Sequence, residues 1–287
     1  MNIFLMLICI VSQSLQSVFK KKLNVRCADC NFTVGTMISA FTLLYFIVFS
    51  RGVFFDMQLL PYSICFAICY AVATVTCVLA LACGSLALTD LMLVYSHVIP
   101  LVYNLYFCNE SLNMIQVVGI VLLGVSFIFT YYRREKAETG GQRISLKWFL
   151  YAILLFVSNG MCSVVMRMQQ RSFGGAYDSS FMILSLIMVV VLLLTSSLIW
   201  ERKSVLKAFK RGWFLSGLCG VCNGSLNYFS LMCLLVIPGS VFYPLLSAGS
   251  LVLTYILSIT MFKEKISRNQ AVGFALGILS IVFINIK

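Results

Sequence analysis

Charged residues along this chain fall in short clusters. Between them run apolar stretches near or above the ~20 residues that a helix needs to cross a bilayer. Ten spans can be drawn. The first covers 2–19 and ends at Lys20-Lys21-Lys22; the second covers 33–50 and ends at Arg51. No charge occurs between Met57 and Thr89, which places a third span near 61–83. The fourth runs 87–107 with Asp90 near its start, and the fifth runs 114–132. A basic linker at 133–147 leads to a sixth span at 148–168, with Arg167 near its end, and a seventh at 179–199. From Gly212 to Phe262 the chain is again uncharged and too long for one span. Pro238-Gly239 divides it, since both residues disfavour helix interiors. The halves are an eighth span near 212–235 and a ninth near 239–261, and the tenth covers 269–286. The pattern predicts an all-α polytopic membrane protein.

Composition agrees. The chain is 61% hydrophobic and 10% charged, with mean hydropathy +1.00, where soluble domains carry roughly 25% charge. A net charge of +12 would suggest nucleic acid in a soluble protein. Here the Lys and Arg residues flank the spans, so they set topology and meet lipid headgroups. Most of the twelve Cys lie inside apolar runs as small packing residues. Cys27-Ala-Asp-Cys30 has no second pair and no His nearby, which argues against a metal site. The N-terminus lacks a basic n-region and a cleavage site, so a retained first helix is expected there.

Two segments repeat. Glu110, Gln116 and Gly119 recur as Glu264, Gln270 and Gly273, 154 residues on, each time before an apolar run. Val11-Ser12-Gln13-Ser14-Leu15-Gln16-Ser17-Val18 aligns with Val157-Ser158-Asn159-Gly160-Met161-Cys162-Ser163-Val164, and Lys21 then falls on Arg167. A duplicated five-helix unit accounts for both. Because five is odd, the second copy enters the membrane from the opposite side, as in many secondary transporters.

Polar groups deep in a span are costly and mark cavities or interhelical bonds. The first span carries Gln13 and Gln16 on one face with Lys20; its partner, the sixth, carries Asn159 and Ser163. The fourth carries Asp90, His97 and Asn104 at sevenfold spacing, roughly stacked along one helix face. His97 is the only His, and a free pKa near 6.5 makes it, with Asp90, a candidate for proton coupling. The alternative is a neutral imidazole bonded to a hydroxyl or carbonyl. The eighth span carries Asn223 and Asn227 one turn apart, and the ninth a hydroxyl stripe from Tyr243 through Ser247 and Ser250. Glu110 and Glu264 suit the positive ends of the helices that follow them. No metalloprotease, nucleophile-elbow or phosphate-loop motif occurs, so neither an enzyme nor a bound cofactor is expected.

Ten spans in two halves, each ending in Glu-x5-Gln-x2-Gly before its last helix, resemble the EamA-type drug/metabolite transporter superfamily. Tyr243 to Ser250 and Phe262-Lys263-Glu264 to Gly273 carry the closest likeness. The resemblance covers essentially the whole chain. It implies a basket-shaped bundle with two EamA-like repeats, 1–132 and 148–287, around the 133–147 linker. It also implies a cavity lined by spans 1, 3, 4, 6, 8 and 9, alternating access, and both termini in the cytoplasm. Charge counting favours the reverse orientation, since it places 17 of the 21 Lys and Arg on the face opposite the termini. The characteristic motifs of nucleotide-sugar transporters, distant relatives, are not evident. The expected function is secondary transport of an amino acid or of a cationic or drug-like metabolite across the cell membrane. A nucleotide-sugar or lipid-linked sugar carrier and a non-transporting scaffold are the alternatives. The expected substrate site is Gln13, Gln16, His97, Asn104, Asn159, Asn223, Asn227 and Tyr243. The expected partners are a small-molecule substrate, the bilayer, a coupling proton or exchange substrate, and a second copy of the chain in a homodimer.

Overall fold

The computed structural model describes residues 2–27, 30–50, 52, 54, 56–83, 86–108, 113–132, 146–202, 204–262 and 268–285. These residues are helical throughout, joined by short turns. In chain order the helices are α1 (Asn2–Arg26), α2 (Asn31–Phe49), α3 (Leu60–Cys83), α4 (Leu86–Tyr95), α5 (Val98–Phe107), α6 (Met114–Tyr132), α7 (Leu146–Phe173), α8 (Asp178–Trp200), α9 (Val205–Val236), α10 (Gly239–Phe262) and α11 (Arg268–Asn285). Six of the segments are long and apolar enough to cross a membrane: Ile3–Asn24, Asn31–Phe49, Met57–Cys83, Leu146–Phe173, Asp178–Trp200 and Val205–Val236. Large apolar side chains such as Ile187, Val191, Leu194 and Leu198 on α8 are exposed, while Gln13, Gln16, Asn104 and Asn223 are buried. Apolar outside and polar inside is the arrangement a bilayer imposes. The chain is a polytopic membrane protein.

Contacts fix two ends of the bundle. Glu201, after α8, accepts hydrogen bonds from the Phe32 and Thr33 amides at the start of α2, both at 2.8 Å. That carboxylate caps a helix whose own N-cap, Cys30, makes no side-chain cap bond. At the far end Ser180 of α8 accepts from the Phe54 amide at 3.0 Å, Tyr62 meets Ser172 at 3.0 Å, and Arg171 donates to the Phe107 carbonyl at 2.6 Å. Successive spans therefore run in alternating directions. Lys20, Lys21, Lys22, Arg26, Arg202, Lys207, Lys210 and Arg211 gather at one end, called here the basic end. The first turn of α1 lies at the other. Cys27 and Cys30 are buried at the basic end, and Cys30 Sγ meets the Ser204 carbonyl at 3.8 Å. Burial pushes the Cys27 thiol up from its ordinary value, against the pull of Arg211 and Arg26. Both features suit packing better than redox chemistry.

Two expectations are corrected. The triple Lys does not stop the first helix; α1 continues to Arg26, so Lys20 sits within it. Long Lys stems tolerate this by running along apolar surface. The fourth span is not one helix but α4 and α5, separated by a turn at Ser96-His97. Pro100 has no amide to donate to the Ser96 carbonyl four residues back. Ile99 N–H takes that carbonyl instead at 3.1 Å, and Ser96 Oγ folds back to the Leu93 carbonyl at 2.6 Å. Asp90, His97 and Asn104 therefore do not form one straight stack.

The repeated glycines have a visible role. Ser126 Oγ of α6 donates to the Gly273 carbonyl of α11 at 2.5 Å, and Ser280 Oγ of α11 donates to the Gly119 carbonyl of α6 at 2.8 Å. The two bonds are copies of one another: Gly119 and Gly273, and likewise Ser126 and Ser280, are separated by the offset of the repeat. In the first copy, Gln116 accepts from the Asn113 amide at 3.0 Å, closing the start of α6 as in a capping box. Glu110 and Glu264 lie outside the described residues.

Close helix approach is sharpest where α9 crosses α2. A Cβ on Gly220 would stand 2.4 Å from Phe41 Cβ and 2.8 Å from the Ile38 carbonyl. Gly220→Ala is expected to cost about 1–3 kcal/mol through overpacking. Gly217→Ala, whose new methyl would meet only the Phe41 ring at 3.6 Å, is expected to leave stability unchanged. Thermal melts of the two variants in detergent check the contrast.

Candidate functional site: a polar cavity at the bundle centre

At the middle of the bundle lies a cavity of about 100 Å³. Its walls come from α1, α3, the α4–α5 junction, α7, α9 and α10. Seven of the eight expected site residues line it: Gln13, Gln16, His97, Asn159, Asn223, Asn227 and Tyr243.

Each is held by its neighbours. Asn223 donates to Thr42 Oγ1 of α2 at 3.2 Å and to the Tyr70 hydroxyl of α3, and accepts from Asn227 Nδ2 at 3.0 Å. Asn159 donates to Ser96 Oγ at 2.6 Å, tying α7 to the turn in the fourth span. Gly160 beside it permits that approach, since a Cβ there would lie 2.8 Å from the Ser96 carbonyl. Gln13 Oε1 is buried and, among the described residues, accepts no hydrogen bond. A buried acceptor of this kind is costly unless something donates to it.

His97 ends up at the cavity wall because the Pro100 turn presents it there. Its Nδ1 lies 2.9 Å from Ser247 Oγ, and Ser247 Oγ donates to the Val94 carbonyl at 3.4 Å. The Nδ1–Ser247 contact fastens the imidazole to α10. The ring lies 5.8 Å from that of Tyr243, whose hydroxyl donates to the Ser163 carbonyl at 3.4 Å.

Asn104 is placed elsewhere. It is buried on α5, where its Nδ2 donates to the Pro100 carbonyl at 2.6 Å and its Oδ1 accepts from Arg167 Nε at 3.1 Å. Arg167 also donates to Gln170 Oε1 at 3.2 Å and to the Leu234 carbonyl at 2.7 Å. Gln170 in turn donates to Asp178 Oδ2 at 3.1 Å and to the Leu231 carbonyl at 2.8 Å. This network joins α5, α7, α8 and α9 at the far end of the bundle. Asp90 belongs to α4, but its side chain lies outside the described residues.

Sequence reasoning missed Tyr70 and Thr74, which bring hydroxyls to the cavity from α3. Their spacing with Phe66, at intervals of four, marks one face of an uncharged helix. That face was the available signal.

Neither a known protein family nor a curated protein matches the chain. Solved structures do match, 28 chains in all. One of them, described only as "Crystal structure of protein", aligns over 99% of this chain and 96% of its own, with TM-score 0.72 and 13% identity. The fold is one already seen. At that identity the likeness is one of architecture, and function has to be argued from the cavity.

Proposed function

We propose that this protein is a secondary transporter of a small metabolite, working by alternating access between two inverted five-helix repeats of the EamA type. The observation that carries the reading is the cavity: buried, rich in side-chain amides, and walled by six elements at mid-bundle. A packed scaffold has no use for such a space, because amides in a membrane interior are costly unless bonded to protein, water or ligand.

The packing of helices supports the duplication. α1 packs on α9 and α3 on α7; α9 packs on α2 and α3 on α8; α1 packs on α10, and α4 and α5 on α7. Exchanging each span with its counterpart five spans away turns the first member of each pair into the second. α2 with α8, and α6 with α11, map onto themselves. The reciprocal Ser126–Gly273 and Ser280–Gly119 bonds obey the same exchange.

The two ends differ in a way that suits alternating access. At the far end one apolar cluster draws Met6, Phe66, Met166, Phe181, Leu231 and Phe242 together from six helices. At the basic end Leu23, Met37, Leu215 and Cys219 form one cluster, while Ala73, Cys77 and Leu155 form another. Ala73, Cys77 and Leu155 also line the cavity. This arrangement supports a state closed at the far end and accessible from the basic end, which the positive-inside rule makes cytoplasmic in a cell membrane. A nucleotide-sugar carrier fits less well, because Arg167 is bonded outside the cavity lining and, among the described residues, Lys20 is the single basic side chain there.

A metabolite flux screen in proteoliposomes tests the reading. Transport of at least one small solute is expected; no flux, together with an unreactive Cys162, would leave the scaffold. With a substrate in hand, His97→Gln is expected to remove the effect of a pH gradient on flux. An unchanged pH response in that variant eliminates His97 as the coupling group.

A further inference from the structure

We propose that the cavity takes a small neutral amide or urea, a solute with N–H beside C=O, held by the side-chain amides of Gln13 and Gln16. The inference rests on the transporter reading and names the substrate class of its site.

Two amides in the cavity wall are unspent. Gln13 and Gln16 share one face of α1, as residues three apart on a helix do, and both line the cavity at 6% and 8% exposure. Neither side chain makes a hydrogen bond among the described residues, and the Gln13 oxygen is buried without a donor. Other amides in the wall are tied into the protein. The Nδ2 groups of Asn159, Asn223 and Asn227 donate to Ser96, to Thr42 and Tyr70, and to Asn223. A buried amide without partners is costly, so two of them on one cavity face point to a ligand that completes them.

Their chemistry sets the ligand's. Each carboxamide offers two N–H donors and one acceptor oxygen. A carboxylate brings no proton for the Gln13 oxygen. An ammonium brings no acceptor for the amide nitrogens, and among the described residues no Asp or Glu lines the cavity to balance it. A solute with N–H beside C=O meets a carboxamide edge to edge in two parallel bonds, the geometry by which Gln reads adenine in DNA. The terminal torsion of Gln is broad and roughly two-fold, so the amide edge pairs either way round. Asn159 and Asn227 have spent their nitrogens, and their oxygens accept nothing among the described residues. They remain for further N–H groups of the same ligand.

Volume sets the size. A cavity of about 150 Å³ holds benzene. The space here, about 100 Å³, suits roughly four heavy atoms by the same measure, as in urea or acetamide.

Cys162 lines the cavity on the α7 wall and serves as the reporter. The full chain in proteoliposomes is treated with the neutral methyl methanethiosulfonate, and modification is read by mass on the Cys162 peptide. Labelling is repeated with six probes of near-equal size: urea, acetamide, acetone, acetate, acetamidinium and ethylene glycol. Each rate is normalised to that of a free thiol with the same probe. Urea and acetamide are expected to slow labelling, and acetone, which keeps the carbonyl but has no N–H, to need a concentration at least about tenfold higher for equal protection. Gln13→Met and Gln16→Met are each expected to narrow that gap, and the double variant to close it. Acetone protecting as well as acetamide overturns the inference. Stronger protection by acetate, acetamidinium or ethylene glycol also overturns it, and passes the site to an anion, a cation or a polyol. No protection by any probe overturns it as well, as does a gap that survives in the double variant. In all of these results Cys162 still reacts when no probe is present, and the transporter reading stands. A Cys162 that never reacts overturns both. The acetamide-to-acetone comparison in the unaltered chain decides the ligand class, so the result does not hang on the variants folding.

Discussion

Arg167→Ala is expected to unlock the far end of the bundle. The side chain ties together three elements through Asn104 Oδ1, Gln170 Oε1 and the Leu234 carbonyl. Hydrogen bonds to a charged donor contribute about 1.5–3 kcal/mol each, and those sharing one group do not add fully. A loss of about 3 kcal/mol in stability is therefore expected. Two acceptors, Asn104 Oδ1 and the Leu234 carbonyl, would be left at the junction of α5, α7 and α9. Water is their cheapest new partner, so the change is expected to hydrate this end.

Two measurements check it. A thermal melt reads the stability loss. Reaction of Cys162 with an impermeant thiol reagent added from the far side reads the opening, and is expected to appear only in the variant. Arg167→Lys is expected to recover little, because an ammonium cannot reproduce the directed fork that reaches three acceptors on different helices. If Arg167→Ala melts like the parent chain and Cys162 stays shielded, the network is not what holds this end shut.

The spans were legible because a bilayer is a strict solvent. Charge clusters had to stay near the ends of the apolar spans, and the 114–132 span, the 61–83 span and the Pro238-Gly239 break reappear as α6, α3 and the α9–α10 junction nearly residue for residue. The cavity was legible for the same reason. Amides such as Gln16 and Asn223 are too costly against lipid, so they had to face inward.

What was not legible depends on neighbours. Arg167 and Lys21 are aligned by the repeat, and the spacing gave both the same standing. The structure puts Arg167 in reach of Asn104 and Leu234, a pairing across 63 and 67 residues of chain that no local pattern encodes. The depth of Asn104 in a span points to a ligand group, yet its oxygen serves the same guanidinium. The turn at Ser96-His97 was encoded by Pro100, but sevenfold spacing of three polar residues was the louder signal. The Glu-x5-Gln-x2-Gly pair marked the duplication. Its serine partners, seven residues past each glycine, emerge only when α6 and α11 are laid together.

Asn223→Ala is expected to give the largest loss of transport. Asn223 is 4% exposed and sits where α2, α3 and α9 meet. Its amide nitrogen serves Thr42 and Tyr70, and its oxygen receives Asn227. Removing it strips the Tyr70 hydroxyl and the Asn227 amide of a partner inside a membrane protein. Each orphaned group costs about 1–3 kcal/mol. The Asn227 amide keeps its bond to the Asn223 backbone carbonyl at 2.9 Å, which limits its share. Tyr70 has no such second bond among those described, so it is free to swing into the cavity and block it. A loss of about 2–3 kcal/mol in the transition state for the transport cycle corresponds to a fall in flux of about 30- to 150-fold. Asn223→Gln keeps both kinds of polar atom but adds a methylene, and is expected to recover only part of the flux. Tyr70→Phe removes the hydroxyl that Asn223→Ala would orphan. If combining Tyr70→Phe with Asn223→Ala restores flux above Asn223→Ala alone, the orphaned hydroxyl is the cause. If the double variant is no better, Asn223 acts on the substrate itself, and flux assays across a substrate series would then show its loss as a raised KM.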